Sequence, residues 1–314
     1  MTDMRKVAFL FAGQGAQTVG MGRDFADTVP ESGAVFSMGE ALRTGITQIC
    51  FGTSSPMDGA LLGQTANTQP CLFLTDLAIA EAFRAVGLLP AAVAGFSLGE
   101  IPAAAFAGVL SYEEAFRFVL LRAESMAWQS GRHPGGMAAA LKLAPEVVEE
   151  ICSRFSEVWP VNYNCPGQVS CAGSAAEIDD FCAAVRQAGG RAVKLPVSGA
   201  FHTPYMAQVA PVLRAALDGA DVSAPAIPLY ANRTASPYPA DRAGILDCMT
   251  LQVCSPVRWE STLRAMWTAG ITTFVEVGAG HTLTGFVSRT LPEARALTVN
   301  DIPSFEAVCR ELTE

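Results

Sequence analysis

The chain has 314 residues, of which 50% are hydrophobic and 16% are charged, enough apolar material for a large buried core. The net charge of −9 argues against nucleic-acid binding. No apolar run approaches the roughly 18 residues of a membrane span. The nine cysteines show no CxxC pair and no ligand-like spacing with histidine, so we expect reduced thiols, no metal and no redox cofactor. With no signal-peptide pattern at the start, these features favour a cytoplasmic protein.

Strands and helices alternate along the first part of the chain. The apolar run KVAFLF (6–11) predicts a buried strand, LFLTDLAIAEAFRAVG (72–87) has helical periodicity, and AAVAGF (91–96) predicts the next strand. Ser111 and Glu114 form a capping box, which predicts the start of another helix. This alternation is typical of a mostly parallel sheet covered on both faces.

The pattern changes after about Gly131. The order strand, helix, two strands, helix, strand follows within about 70 residues, and β-α-β-β-α-β is the ferredoxin-like pattern. We therefore predict an α/β protein with two domains. A large α/β-hydrolase-like domain with a mostly parallel sheet takes residues 1–129 and 199–314, and a small ferredoxin-like domain, residues 130–198, is inserted into it.

The motif GFSLG at residues 95–99 fits the G-x-S-x-G pattern of a nucleophile elbow. Its glycines allow a turn too tight for Cβ atoms, and the helix that follows offers free N–H groups to an oxyanion. Alternatively, Ser97 is only the N-cap of that helix, with Glu100 as its N3 residue.

A serine nucleophile needs a base, and the chain has three histidines. His133 lies in a glycine-rich loop and is more typical of a solvated residue. His281 follows a predicted strand and would complete a hydrolase triad with Asp247 or Glu276. His202 lies where the chain returns from the small domain, beside an expected cleft. Chemistry alone leaves His202 and His281 open.

Arg122 interrupts the apolar row Ala115, Phe118 and Met126 on a predicted helix and has no acidic residue three or four positions away. A guanidinium on an inward face needs a carboxylate from elsewhere. That carboxylate is either an internal Asp or Glu or the carboxylate of a ligand.

Seven motifs, in this order, resemble those of the malonyl-CoA:acyl carrier protein transacylases and of the acyltransferase domains of polyketide synthases. They are FAGQGAQ, GFSLGE, LLRAESM, VNYNCPGQVSCAG, GAFHTPYM, QVCSPVRW and FVEVGAGHTLTG. Each motif alone is weak, whereas all of them in order over nearly the whole chain are specific.

The resemblance implies that Ser97 is acylated by malonyl-CoA and that His202 is its general base, which decides against His281. It also implies that no carboxylate completes a triad. The backbone carbonyl of Gln252 orients the histidine instead, so the catalytic pair is a Ser–His dyad.

The resemblance further implies the substrate contacts. Leu98 and Gln14 provide the backbone N–H groups of the oxyanion hole, and Arg122 binds the malonyl carboxylate. Phe201 resembles the bulky residue associated with selectivity for malonyl over methylmalonyl. Phe96 stands where many relatives have histidine, and the two phenyl rings leave little room for a branched acyl group.

Malonyl-CoA and acyl carrier protein are the implied partners, with no nucleic acid and no membrane. Because carrier proteins are acidic, docking requires a local basic patch; the candidates are Lys142, Arg186, Arg191 and Lys194, which could equally form a solvated face. The expected function is malonyl transfer feeding fatty-acid biosynthesis. The alternatives are a discrete polyketide-synthase acyltransferase, a carrier-protein thioester hydrolase and a non-catalytic scaffold.

Overall fold

A computed structural model describes residues 3–197 and 199–314. Residues 1 and 2 and Ser198 lie outside the described residues, and with them the predicted first residue of the large domain and last residue of the small one. The strands are β1 (Val7–Phe11), β2 (Ala92–Gly95), β3 (Gly135–Leu141), β4 (Val158–Cys165), β5 (Gln168–Ser174), β6 (Arg191–Lys194), β7 (Leu229–Tyr230), β8 (Thr273–Val277) and β9 (Arg295–Val299).

The α-helices are α1 (Arg23–Thr28), α2 (Pro30–Leu42), α3 (Ile46–Phe51), α4 (Asp58–Leu62), α5 (Thr65–Ala85), α6 (Glu100–Phe106), α7 (Tyr112–Arg132), α8 (Pro145–Cys152), α9 (Ile178–Gln187), α10 (Val209–Ala216), α11 (Arg242–Leu251), α12 (Trp259–Thr268), α13 (Thr282–Thr290) and α14 (Ile302–Thr313). Short 3₁₀ helices cover Met4–Lys6, Ser97–Gly99, Pro204–Gln208 and Gln252–Cys254. None of the described helices is long and apolar enough to cross a membrane.

The large sheet has the strand order β7-β2-β1-β8-β9, and every pairing in it is parallel, as the alternation of strands and helices predicts. All five residues of the central strand β1 are buried because helices cover both faces. Phe9 and Phe11 point into one core, and Ala8 and Leu10 point into the core on the opposite face, as the two-residue period of a strand requires.

The second sheet has the order β4-β5-β3-β6 and is entirely antiparallel. Helices α8 and α9 cover one of its faces around a separate small core. The predicted β-α-β-β-α-β order is confirmed, and its strands run from Gly135 to Lys194. On its other face, Met137 and Ala139 line a cavity shared with the large sheet.

Two predicted helices differ from the structure at their ends. The helix predicted over residues 72–87 is α5, which begins at Thr65 and contains Pro70. Pro70 has no N–H to give to Ala66, and the carbonyl oxygen of Ala66 instead accepts a hydrogen bond of 2.8 Å from the guanidinium of Arg43. The helix after Ser97, which the sequence predicts to run through about Val109, starts as a 3₁₀ turn and ends at Phe106.

Candidate active site

Ser97 directly follows Phe96 at the carboxyl edge of the large sheet, and its backbone is left-handed, with φ of +53°. The two motif glycines are required by close backbone approach. A Cβ on Gly95 would lie 1.9 Å from the carbonyl carbon of Gly99, and a Cβ on Gly99 would lie 2.2 Å from the carbonyl oxygen of Phe11. The strand, the tight turn and the following helix therefore form an elbow that exposes the serine to a cavity.

The alternative that Ser97 merely caps the helix with Glu100 is wrong. Neither Ser97 nor Glu100 makes the side-chain cap of this helix. The Glu100 carboxylate is fully buried and accepts hydrogen bonds from the backbone N–H of Asn232 at 3.1 Å, the side chain of Gln252 at 2.8 Å and the hydroxyl of Tyr238. Glu100 therefore binds groups from distant segments of the chain and does not bind the helix N-terminus.

His202 lies against Ser97, with its Nε2 atom 2.7 Å from the serine Oγ. Its Nδ1 atom lies 3.0 Å from the carbonyl oxygen of Gln252 and 3.1 Å from that of Ser255. Carbonyl oxygens only accept hydrogen bonds, so Nδ1 carries the proton and the Nε2 lone pair faces the serine hydroxyl. This tautomer is the one that can take a proton from Ser97.

Burial, and secondly the charge of Arg122, lowers the pKa of His202 from 6.5 to about 4. The imidazole is therefore neutral at pH 7 and is ready to act as a base. The pair has the geometry and the protonation state of a nucleophile with its general base.

Arg122 is 1% exposed and donates hydrogen bonds to the side-chain oxygens of Gln69 at 2.6 Å and Gln252 at 2.8 Å. Among the described residues, its Nε has no partner. Both hydrogen-bond partners are neutral amides, and the internal carboxyl of Glu100 is linked to Arg122 through the side chain of Gln252, so the choice between an internal partner and a ligand carboxylate stays open. Burial lowers the pKa of Arg122 to about 10, so the guanidinium stays charged at pH 7. It lines the cavity and has N–H groups that are not engaged by Gln69 or Gln252.

Gln252 connects these groups. Its side-chain oxygen accepts from Arg122, and its side-chain nitrogen donates to the carbonyl oxygen of Ser97 at 2.6 Å and to Glu100. Its backbone carbonyl oxygen lies against His202. The resemblance implied only the backbone contact, and the structure adds a side chain that links the arginine, the nucleophile turn and a buried carboxylate.

A cavity of about 300 Å³ lies between the two sheets, within the usual size range of ligand pockets. The sequence-predicted residues that line it are Gln14, Phe96, Ser97, Leu98, Arg122, Phe201 and His202. Gln252 lies behind them. A nucleophile, a base and a fixed cation in one partly apolar cavity suit attack on an acyl group that carries an anion.

The alternative triad around His281 is not assembled. His281 is exposed at the start of α13. Asp247 forms an ion pair with Arg214 at 2.6 Å, and Glu276 accepts hydrogen bonds from N–H groups of α13. His133 is also exposed and stacks on a tyrosine ring. Neither of these two histidines lines the cavity, so His202 alone faces the nucleophile.

The four basic candidates are all exposed on the small sheet and its helices. Arg191 pairs in register with Leu141, so Lys142 and Arg191 lie at the same end of the sheet. Lys194 is engaged in an ion pair with Asp179. Docking of a carrier protein on these four residues stays a prediction.

The sequence did not single out three polar residues that contact the site. Gln69 binds Arg122, Ser255 binds His202, and Asn232 binds the nucleophile turn. Only Asn232 carried a signal, because it ends the run AIPLYAN (226–232), which resembles a strand of the large sheet, and polar residues at strand ends reach the edge where sites form. Gln69 sits within a helix, and Ser255 acts through its backbone, which sequence does not reveal.

Comparisons with known proteins identify the family of this chain. A family model described as an acyl transferase domain matches residues 8–310. The malonyl CoA-acyl carrier protein transacylase of Bacillus subtilis is 33% identical over 317 residues, covering 99% of this chain and 98% of that protein.

Solved structures of similar proteins match the fold over nearly the whole chain. The malonyl CoA-acyl carrier protein transacylase of Clostridium perfringens has a TM-score of 0.91 at 33% identity, covering 98% of this chain and 97% of that chain. A type II polyketide synthase acyl-carrier protein in complex with its malonyl-transacylase gives a TM-score of 0.92 at 29% identity, covering 98% and 99%. The chain belongs to the acyl transferase family.

Proposed function

We propose that this enzyme transfers a malonyl group from malonyl-CoA to the phosphopantetheine thiol of acyl carrier protein, through a malonyl ester of Ser97, and so feeds fatty-acid biosynthesis. The observation that carries the proposal is the 2.7 Å contact between Ser97 and neutral His202 in a cavity that Arg122 also lines. The full-length likeness to proteins named malonyl CoA-acyl carrier protein transacylases supports the choice of substrate.

In the first half-reaction, Ser97 Oγ attacks the thioester carbonyl while His202 Nε2 takes the hydroxyl proton. We propose that the backbone N–H groups of Leu98 and Gln14 receive the developing oxyanion, since both residues line the cavity beside the serine. When the carbon–sulfur bond breaks, His202 returns the proton to the departing CoA thiolate. A malonyl-serine ester and CoA are the products.

The second half-reaction reverses these roles. His202 takes the proton of the phosphopantetheine thiol, the sulfur attacks the malonyl-serine ester, and the proton returns to Ser97 Oγ as the serine leaves. Water competes with the thiol at this stage, so the exclusion of water from the cavity protects the ester. The reaction as proposed needs no metal or redox cofactor, because CoA leaves as part of the substrate.

Arg122 is proposed to bind the malonyl carboxylate through N–H groups not engaged by Gln69 and Gln252. Phe96 and Phe201 are proposed to limit the acyl group to unbranched malonyl. Phe96 packs edge-to-face on Trp259, with ring centroids 5.4 Å apart, so its ring is held as a fixed wall.

Acyl carrier protein is proposed to dock on the exposed basic side chains Lys142, Arg186, Arg191 and Lys194. The cytoplasm is proposed as the location, and the nine free cysteines support it because reducing compartments keep thiols unpaired.

Intact-protein mass spectrometry after mixing with malonyl-CoA tests the proposal. We expect a malonyl adduct that transfers to an added carrier protein and that is absent in Ser97→Ala. Release of CoA with neither adduct nor transfer would identify a thioester hydrolase, and no reaction at all would identify a scaffold. Comparing carrier proteins of fatty-acid and polyketide synthesis in the same assay decides which pathway receives the group.

A further inference from the structure

We propose that Asn232 is a positioning residue for acyl transfer, holding the nucleophile turn from both sides through its side-chain amide. Its Oδ1 accepts a hydrogen bond of 2.7 Å from the backbone N–H of Ser97, and its Nδ2 donates one of 2.6 Å to the carbonyl oxygen of Gly95. One planar group thus fixes the peptide units on both sides of Phe96.

Asn232 is itself held rigidly. It is fully buried, its backbone N–H donates to Glu100 at 3.1 Å, and its carbonyl oxygen accepts from the N–H of Arg258 at 2.8 Å. A side chain with both backbone groups bonded and both amide atoms engaged has one available orientation.

The turn needs such a support because Ser97 has a left-handed backbone. A non-glycine residue with a positive φ is strained and persists only where the surrounding structure holds it. The acceptor for its N–H comes from a segment 135 positions away, so the turn is not self-supporting. Asn232 keeps the serine oxygen within reach of His202 without touching the acyl group.

The test uses Asn232→Ala and a serine-directed fluorophosphonate probe, which reports the reactivity of Ser97 independently of any acyl substrate. We expect the rate of phosphonylation and the rate of malonyl loading both to fall by about 10²-fold, since misplacement by about 1 Å has an effect of this size. In steady state, we expect kcat to fall and KM for malonyl-CoA to change little, because the acyl site itself is untouched.

Ser32→Ala is the matched control. Ser32 is also fully buried, and its hydroxyl donates one hydrogen bond to the carbonyl oxygen of Ala78, between α2 and α5. It has no contact with the nucleophile turn, so it should lower the melting temperature and leave probe reactivity unchanged. A comparable loss of reactivity in Ser32→Ala would assign the effect to general destabilisation and overturn the proposal.

Asn232→Asp provides a second variant that keeps the shape of the side chain. A protonated carboxyl can accept from Ser97 and donate to Gly95 as the amide does, whereas an ionised carboxylate cannot donate. Burial raises the pKa of the introduced carboxyl, and the Glu100 carboxylate acts in the same direction, while Arg122 and Arg258 oppose it; His202 is neutral. We expect its phosphonylation rate, relative to the original chain, to rise about tenfold as the pH falls from 8 to about 5.5.

A relative rate that is equally low at pH 8 and at pH 5.5, with the variant folded throughout as judged by circular dichroism, would contradict this role of Asn232. The measurement of malonyl loading rests on the proposed function, whereas the fluorophosphonate labelling of Ser97 does not. Reduced probe reactivity in a protein that never loads malonyl would therefore refute the proposed substrate and support the role of Asn232. Normal probe reactivity with normal malonyl loading in Asn232→Ala would refute the role and leave the proposed function standing.

Discussion

Two buried ionisable side chains set the chemistry at the scale of single residues. Arg122 holds a positive charge in the cavity, and the side-chain amide of Gln252 links it to the carboxyl of Glu100. Burial raises the pKa of Glu100 to about 7, although three hydrogen-bond donors and Arg122 oppose the shift. The charge of Arg122 is therefore incompletely compensated, which leaves it available to an anionic acyl group. Burial first, and the charge of Arg122 second, lower the pKa of His202 and keep it neutral.

The loss of Ser97 reactivity at low pH should follow the protonation of His202. The neutral imidazole is the active form, and its pKa is about 4, so reactivity should be constant from neutral pH down to about 5 and fall as the pH passes through about 4. Fluorophosphonate labelling of the free enzyme against pH measures this. A midpoint near the ordinary histidine value of 6.5 would contradict it.

Arg122→Met should raise the pH at which Ser97 reactivity is lost. Removing the cation removes the second cause of the depressed pKa, so the midpoint should shift upward toward 6.5 while burial still holds it below that value. Fluorophosphonate labelling against pH measures this midpoint, and Ser32→Ala is the control in which the midpoint should not change.

Arg122→Met should also change acyl preference. Loss of charge-assisted hydrogen bonds to the malonyl carboxylate should lower kcat/KM for malonyl-CoA by about 10²–10³-fold. Acetyl-CoA has no carboxylate, so its rate should change far less, which competition between the two thioesters measures by mass spectrometry. Equal losses for both thioesters would indicate that Arg122 supports the fold and does not bind the acyl group.

At the scale of elements, the site depends on how closely three segments approach at the edge of the large sheet. The turn after β2 touches the end of β1, since Gly99 lies against the carbonyl oxygen of Phe11. The segment after β7 reaches the same turn because β7 pairs in parallel with β2, with Ala94 opposite Tyr230. Parallel strands bring their following loops to one edge, and this is why Asn232 meets Ser97.

Gly99→Ala should be strongly destabilising because its Cβ would meet backbone atoms that cannot rotate away. We expect a loss of about 3 kcal/mol in the free energy of unfolding, measured by urea denaturation. Gly131→Ala is the matched control: Gly131 lies in α7 with no atom near its Cβ position, so the change should stabilise by about 0.5–1 kcal/mol. Similar stabilities for the two variants would show that the turn can relax.

At the scale of the molecule, the cavity exists because two sheets are held together across it. The backbone of Val257 bonds to β4, with Val257 N donating to Val161 at 2.8 Å and Tyr163 N donating to Val257 at 2.9 Å. Arg289 of α13 donates to Gln168 of β5 at 2.8 Å. These contacts place the small sheet over the serine, where it walls off the cavity and carries the exposed basic residues.

Arg191→Glu should weaken carrier-protein docking without affecting acyl loading. We expect KM for acyl carrier protein to rise about tenfold, with the effect shrinking at high salt, and the rate of malonyl loading to stay the same. Arg310→Glu makes the same charge change at an exposed position on α14 of the large domain and serves as the control. Equal responses to the two changes would indicate long-range attraction and exclude a patch on the small sheet.

The sequence by itself determined the local features. The period of apolar residues gave the buried strands, the Ser111 capping box began α7, and the glycines of GFSLG formed the nucleophile turn, because each depends on neighbours along the chain. The tertiary structure decided which distant groups meet. That Gln69 and Gln252 hold Arg122 and that Asn232 holds the nucleophile turn follow from strand order and from the position of the small sheet. The pairing of His202 with Ser97 has the same cause, and the sequence implied it only through the resemblance to a known family. Such contacts join residues far apart in the chain, and no local pattern records which of several buried polar side chains will satisfy one another.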